Sequence, residues 1–328
     1  MKPAKLFTRA VCILITVLCA STAPAQVTPI SACTTITLIG SYQLTRNISI
    51  AGADCLKIAV NEVTIDLNGF SITGNRTGRA ITDLGKARTA LTVKNGTLSG
   101  FATGVALATS SAVTVENLRV LNMAADGVET GPNSEVRKTQ SSTNGKIGIL
   151  LSVNSTADSD VTSNNGSTGI VTAGYGLVEG NNASGNGGDG IATGSFCNIR
   201  HNTVSANKAG GITNPGGCNV SDNAVSSNGF FGIRSGEGST LTRNNISYNT
   251  GNGIEAGPNS TLTNNTASNN TLSGIIADSG SLLSSDTASQ NGSYGIYVTC
   301  PSSLIGDVTL GSHTPYSSVA GCFILHNS

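Results

Sequence analysis

The stretch Asn186-Gly-Gly-Asp-Gly190-Ile191-Ala-Thr-Gly-Ser-Phe-Cys197-Asn-Ile199-Arg-His-Asn202-Thr-Val-Ser-Ala-Asn207-Lys-Ala-Gly-Gly211-Ile212 returns to its own beginning. An asparagine four residues before a Gly-Ile pair stands at 186 and again at 207, after 21 residues. Working outward, the same pair occurs at Gly148, Gly169, Gly190, Gly211, Gly232, Gly253, Gly274 and Gly295, each followed by isoleucine and each 21 residues from the last. Looser copies precede them at Gly104-Val105 and Gly127-Val128. The asparagine row runs in phase from Asn144 to Asn291. A second polar row holds Asp160, Asn181, Asn202, Asn223, Asn244, Asn265 and Asp286, and an aliphatic row holds Val178, Ile199, Val220, Leu241, Leu262 and Leu283. Rows that keep one phase over so many repeats identify a solenoid before any secondary structure is assigned.

A repeat of this length holds two or three short strands and cannot bury a core alone. It can do so when equivalent residues of successive coils stack at the strand spacing of about 4.8 Å. The isoleucine and aliphatic rows then form continuous inward stacks. The repeated glycine implies either a positive φ or crowding by the next coil. The asparagines suit bends, because Asn tolerates left-handed backbone and stacked amides hydrogen-bond along a ladder. A helical repeat is excluded, since no 3.6-residue apolar period is present. The fold class predicted is all-β: a single-stranded right-handed parallel β-helix with coils of about 21 residues.

The first residues read as a targeting segment. Lys2, Lys5 and Arg9 precede an apolar run from Ala10 to Ala20, and Ala23-Pro24-Ala25 offers a cleavage site. Residues 1–25 are expected to be a signal peptide, which places the protein in the periplasm or outside the cell. No further apolar run is long enough to cross a membrane. The chain has 18 Lys and Arg against 18 Asp and Glu, so losing the three leader cations leaves it slightly acidic. That charge excludes nucleic acid and anionic membrane as natural partners. Residues 26–328 are expected to form one domain: irregular coils over 26–138, regular coils over 139–299 and a C-terminal cap over 300–328, which breaks the period.

Six cysteines remain after the leader, in three close pairs: Cys33 with Cys55, Cys197 with Cys218, and Cys300 with Cys322. An even count in an exported chain points to disulfides. Cys197 and Cys218 are one repeat apart and would occupy the same place on adjacent coils, as a bond or as two buried thiols. No spacing of His or Cys suits a metal, and no cofactor is expected.

The repeat resembles that of the right-handed parallel β-helix proteins, the pectate-lyase-like superfamily, in its N-x-x-x-G-I form. Val63-Thr64-Ile65-Asp66-Leu67-Asn68-Gly69-Phe70-Ser71-Ile72 and Val93-Lys94-Asn95-Gly96-Thr97-Leu98-Ser99-Gly100-Phe101 resemble its opening coils. The resemblance implies the fold and leaves activity open, because the superfamily holds lyases, hydrolases, epimerases and proteins without a known reaction. The paired aspartates, His-Gly and Arg-x-Lys of polygalacturonases are missing. So are the tryptophan motif of pectate lyases and the Asp-Pro-His of alginate epimerases. Copper ligands are scarce, with two Met and three His.

Two constellations are left to weigh. His201, Asp222 and Arg243 share one row, and would either orient a general base or stack as a solvated ion ladder. Arg234 and Glu255 share the row two residues after the glycines, as a surface ion pair or as part of a binding face, and Phe230, Phe231, Tyr248 and Tyr294, in or beside the loop before the glycine, are packing residues or a sugar platform. The expected function is an exported scaffold that binds polysaccharide or a cell-surface partner without catalysis. The alternative is a carbohydrate-active lyase or hydrolase with a divergent site.

Overall fold

The computed structural model describes residues 27–312, 314–318 and 321–325, so the leader read over residues 1–25 lies outside the described residues. The described residues contain strands and no helix. The first sheet, of 14 strands, collects the Gly-Ile strands, such as Ile191–Thr193. The second, of 26 strands, takes two strands from each coil, such as Asn198–Arg200 and Thr203–Ser205. Pairing is parallel and in one register. Ile191 lies between Ile170 and Ile212, and Ile199 between Val178 and Val220. Right-twisted strands that cross back to a parallel neighbour do so right-handed, and these coils form a right-handed β-helix.

The isoleucine and aliphatic rows are fully buried; Ile191, Ile199, Ile212 and Val220 show 0% exposure. Each such side chain contributes about 1.5–3 kcal/mol on burial, and only the coils above and below supply the partners. The repeated glycines are there for crowding and not for a positive φ. A Cβ on Gly169 would come 2.7 Å from the Asn186 amide nitrogen and 2.7 Å from the carbonyl of Gly190, both on the next coil.

Each regular coil turns at three corners, and all three share one construction. A residue with left-handed φ stands first, and a buried hydrogen-bonding residue follows it. Ala206 (φ 56°) precedes Asn207, His201 (φ 57°) precedes Asn202, and Phe196 (φ 60°) precedes Cys197. The left-handed positions are therefore one residue before the asparagine rows, and the asparagines themselves are selected for their amides. The Asn202 side-chain oxygen accepts the backbone N–H of Asn181 at 2.9 Å and its side-chain N–H at 3.0 Å. The Asn202 amide donates in turn to the Val178 carbonyl at 2.9 Å and to Asn223 at 3.0 Å. Every polar atom of a rung is paired, which is the condition for burying it.

The third corner carries a ladder that the sequence reading missed. The backbone N–H groups of Ser239, Ser260 and Ser281 are bound by the hydroxyls of Ser260, Ser281 and Ser302, each at 3.2–3.3 Å. Cys197 and Cys218 occupy this row and form a disulfide between adjacent coils, with Cα atoms 4.6 Å apart. Cys33–Cys55 and Cys300–Cys322 are bonded likewise, at 4.5 and 5.0 Å between Cα atoms. The stretch after Cys300 keeps the period at first. Ser302, Leu304 and Asp307 hold the serine, aliphatic and second polar rows, and Ser303–Ile305 and Val308–Leu310 pair with the coil before. Further on the Gly-Ile signature is gone and the period slips, since Tyr294 pairs with Thr314 and Ser303 with Phe323, 20 residues apart.

Asp160 and Asp286 stand as rungs in the second polar ladder. Asp286 Oδ1 accepts from Asn265 N–H and its side-chain amide at 2.7 and 2.9 Å, while its Oδ2 is buried without a partner. In the asparagine rungs that place holds an NH₂ group donating to a carbonyl and to the next rung, so a carboxyl satisfies it only when protonated. Burial raises the Asp286 carboxyl to about 7, against backbone and side-chain hydrogen bonds that lower it, and drives Asp160 well above the ordinary value.

A folded-state value above the unfolded one costs stability as pH rises from about 4 towards 7, with the full cost present above 7. Asp286→Asn should therefore stabilise the protein by about 2–4 kcal/mol at pH 8 and change little at pH 3.5, read from urea melts at the two values. The Cys197→Ser/Cys218→Ser double variant should keep the ladder and lose about 2–3 kcal/mol from the missing crosslink. Non-reducing peptide mapping of the unaltered protein should show the linked pair and no alkylatable thiol at either position.

Candidate functional site

Along a strand, alternate side chains face opposite ways, so the residue between two buried ones points outward. On the first sheet this outward row is the one two residues after the glycines. It runs through Glu129, Leu150, Val171, Ala192, Thr213, Arg234, Glu255 and Ile276 in consecutive register. The row thus places charged groups at two levels, with aliphatic residues and a threonine between them.

At the upper level the expected pair is formed. Arg234 Nε donates to Glu255 Oε2 at 2.5 Å, and Glu255 Oε1 accepts from the Asn252 amide at 2.8 Å. Asn252 is itself held by the backbone N–H of Ser273 at 2.9 Å. The guanidinium carbon lies 4.1 Å from the centre of the buried Phe231 ring and 5.5 Å from that of Phe230, which is 51% exposed. Phe231 fits because Gly210, on the coil before, leaves room for its ring. Arg234, Asn252 and Glu255 border an open groove of about 300 Å³ that also takes in Ser235, Ile276 and Asp278. Asn252 and Asp278 were not legible as partners, since neither lies on the row that the repeat singles out. Of the other aromatic candidates, Tyr248 is exposed at a left-handed corner, and Tyr294 packs against Tyr297 at 5.4 Å.

His201, Asp222 and Arg243 are stacked left-handed corner residues, all with φ of 53–57°. Arg243 grips Asp222 with two hydrogen bonds, of 2.7 and 2.9 Å. This contact holds the Asp222 carboxyl below its ordinary value. His201 Nδ1 lies 3.7 Å from Glu179 Oε1, and Arg200 binds the same carboxylate at 2.8 Å. The row is thus one ion pair, Arg243 with Asp222, and an exposed His201 beside Glu179 at the same corner.

The lower level was missed by the sequence reading. Glu129 faces Asp126, Arg79 and Lys146, beside a groove of about 200 Å³ lined by Arg79, Asp83, Thr103, Thr109 and Glu129. Partial burial raises the Glu129 carboxyl, the charge of Asp126 and a hydrogen bond to it raise it further, and Arg79 and Lys146 oppose the shift. Asp83 is buried and accepts from Thr109, Ser110 and the backbone of Gly85 at 2.7–2.9 Å. The signal was available, because Glu129 stands two residues after Gly127. Arg79, however, comes from an irregular coil with no repeat register to align it. Among the described residues, no group of three or more His, Cys, Asp or Glu is placed to hold a metal ion. No helix among them is long and apolar enough to cross a membrane.

Comparison with known proteins agrees with this architecture. Residues 35–176 and 220–314 match the family model described as right handed beta helix region, and the chain belongs to that family. No curated protein matches the chain. Among solved structures, the A-module of the Azotobacter vinelandii mannuronan C-5 epimerase AlgE4 is similar, with a TM-score of 0.57 and 16% identity over 87% of this chain and 90% of that one. The A-module of AlgE6 from the same organism gives 0.53 and 17%, over 87% and 91%. The catalytic domain of a GH87 α-1,3-glucanase in complex with nigerose gives 0.51 and 12%, over 86% and 64%. At these identities the likeness is one of fold.

The lower cluster can be tested by titration. Carbon-13 detected NMR of the side-chain carboxyls should show Glu129 titrating above its ordinary value of 4.5. Asp126→Asn should bring the midpoint down, and Arg79→Ala should move it up, because the first removes a like charge and the second an opposite one.

Proposed function

We propose that the protein is an exported, non-catalytic scaffold that binds polysaccharide along the outer face of its first sheet. The observation that carries this reading is the Arg234 cluster. Its guanidinium, held by Glu255 and packed on the Phe231 ring, borders an open groove, and the centre of the exposed Phe230 ring lies 5.5 Å from it. Arginine does not titrate at working pH, and Glu255 is committed to two hydrogen bonds, so the cluster is built to hold a ligand and not to move a proton. A planar cation and an aromatic face suit the hydroxyls, the carboxylates and the apolar ring faces of a sugar chain. Three disulfides and the leader-like first segment support an oxidising compartment outside the cytoplasm. The sugar-directed enzymes among the fold neighbours are in keeping with such a ligand.

The lower cluster favours a second reading, a carbohydrate-active enzyme, because a raised Glu129 carboxyl beside Asp126 is a pairing that acid–base chemistry uses. One set of measurements separates the two. On pectin, polygalacturonate, alginate and neutral polysaccharides, residues 26–328 should be retarded in affinity gels by at least one polymer, with no release of reducing or unsaturated ends. Arg234→Ala should weaken that retention roughly tenfold, the scale of one lost charge-assisted contact. Product release that Glu129→Gln or His201→Ala abolishes would replace the scaffold with the enzyme.

A further inference from the structure

The corner before the serine row is occupied on successive coils by Asn133, Asn154, Tyr175, Phe196, Gly217, Gly238, Asn259 and Gly280, all with left-handed φ. Asparagine and glycine are the residues that adopt this backbone with least strain, and six of the eight positions hold them. Tyr175 (φ 61°) and Phe196 (φ 60°) are the exceptions. They are 63% and 59% exposed, so burial does not offset the strain of the corner. Their rings stack on each other, with centroids 5.4 Å apart and planes inclined by 19°. On the next coil Gly217 is small enough for the Phe196 ring to lie across it: a Cβ there would meet that ring at 2.8 Å. Beyond it, a Cβ on Gly238 would meet nothing within 4 Å. Two tiled rings are thus followed by two coils without side chains at the corner, up to Asn259, whose amide is bound to Glu237 at 3.1 Å.

Left-handed φ is ordinary at the corners of this fold; what sets this one apart is that two neighbouring coils carry exposed aromatic rings stacked on each other. We infer that Tyr175 and Phe196 form a stacking platform for a neutral polysaccharide, separate from the Arg234 groove; this rests on the polysaccharide reading above. The two stacked rings, with centroids 5.4 Å apart, form one continuous apolar surface across two coils, on the scale of a single sugar ring. The row neighbours of the rings are Asn154 and Gly217, an amide and a bare backbone, which suits hydroxyls and apolar ring faces better than carboxylates. A protein partner is a poor occupant: two rings offer a small fraction of the roughly 800 Å² that each side of a stable interface contributes.

The test uses the row's own solution. In Tyr175→Asn/Phe196→Asn both corners receive a residue suited to left-handed backbone, so the melting temperature should hold or rise. Calorimetric titration with cello-, manno- and xylo-oligosaccharides should show binding by the unaltered protein and a loss of about tenfold or more in the double variant. Tyr175→Phe, which keeps the ring, should bind normally. If the double variant binds as well as the unaltered protein, or if its melting temperature drops by several degrees with binding intact, the platform is overturned and the polysaccharide reading stands. If only acidic polymers bind, and Arg234→Ala abolishes this, the platform is likewise overturned alone. Binding of no polysaccharide at all overturns both.

Discussion

The structure depends on satisfying the backbone at its corners. A coil of 21 residues must turn three times, and at each turn one residue goes left-handed and the next points inward, taking its polar backbone out of water. A buried N–H without a partner costs about 1–3 kcal/mol, and eight coils with three corners each could not carry that repeatedly. Asparagine answers it at two corners, because its amide accepts from the coil before and donates to the coil after. Serine answers it at the third with one hydroxyl. The apolar core then needs only one or two aliphatic side chains per strand, which is how so polar a chain folds without a bulky aromatic centre.

This division leaves the outside free. Inward rows are held by stacking, since a rung that differs must still match the two beside it. The outward row of the first sheet and the left-handed corner positions have no such obligation, and there the residue types vary most. The charged clusters around Glu129 and Arg234 lie on the outward row, while His201, Asp222, Arg243, Tyr175 and Phe196 lie at corners. A departure from the inward pattern is also informative. Asp160 and Asp286 stand in an amide ladder, where burial raises both carboxyls against the hydrogen bonds of the corner and makes that region sensitive to pH.

Much of this was legible because a stacked repeat converts sequence distance into spatial distance. Residues 21 apart are neighbours, so the Arg234–Glu255 pair, the Asp222–Arg243 contact and the juxtaposition of Cys197 with Cys218 could be written down from spacing alone. The serine ladder was harder to see, because Gly176, Cys197 and Cys218 interrupt the row and hide its purpose. The continuation past Cys300 was hidden for a related reason: Ser302, Leu304 and Asp307 keep the phase, but the conspicuous Gly-Ile pair is gone.

The sequence by itself determined the class of fold, the coil length, the inward rows and which residues stack on which, because periodic burial admits one arrangement. It did not determine which way a corner side chain leans, or what a side chain meets across irregular coils. Arg79 reaches the neighbourhood of Glu129 from 50 residues away through coils of unequal length, where no period relates the two positions. The left-handed residue also proved to precede the asparagine, since a corner needs one residue to bend the backbone and another to pay for the buried amide. Those assignments follow from the packing of neighbouring coils, and only the tertiary structure decides them.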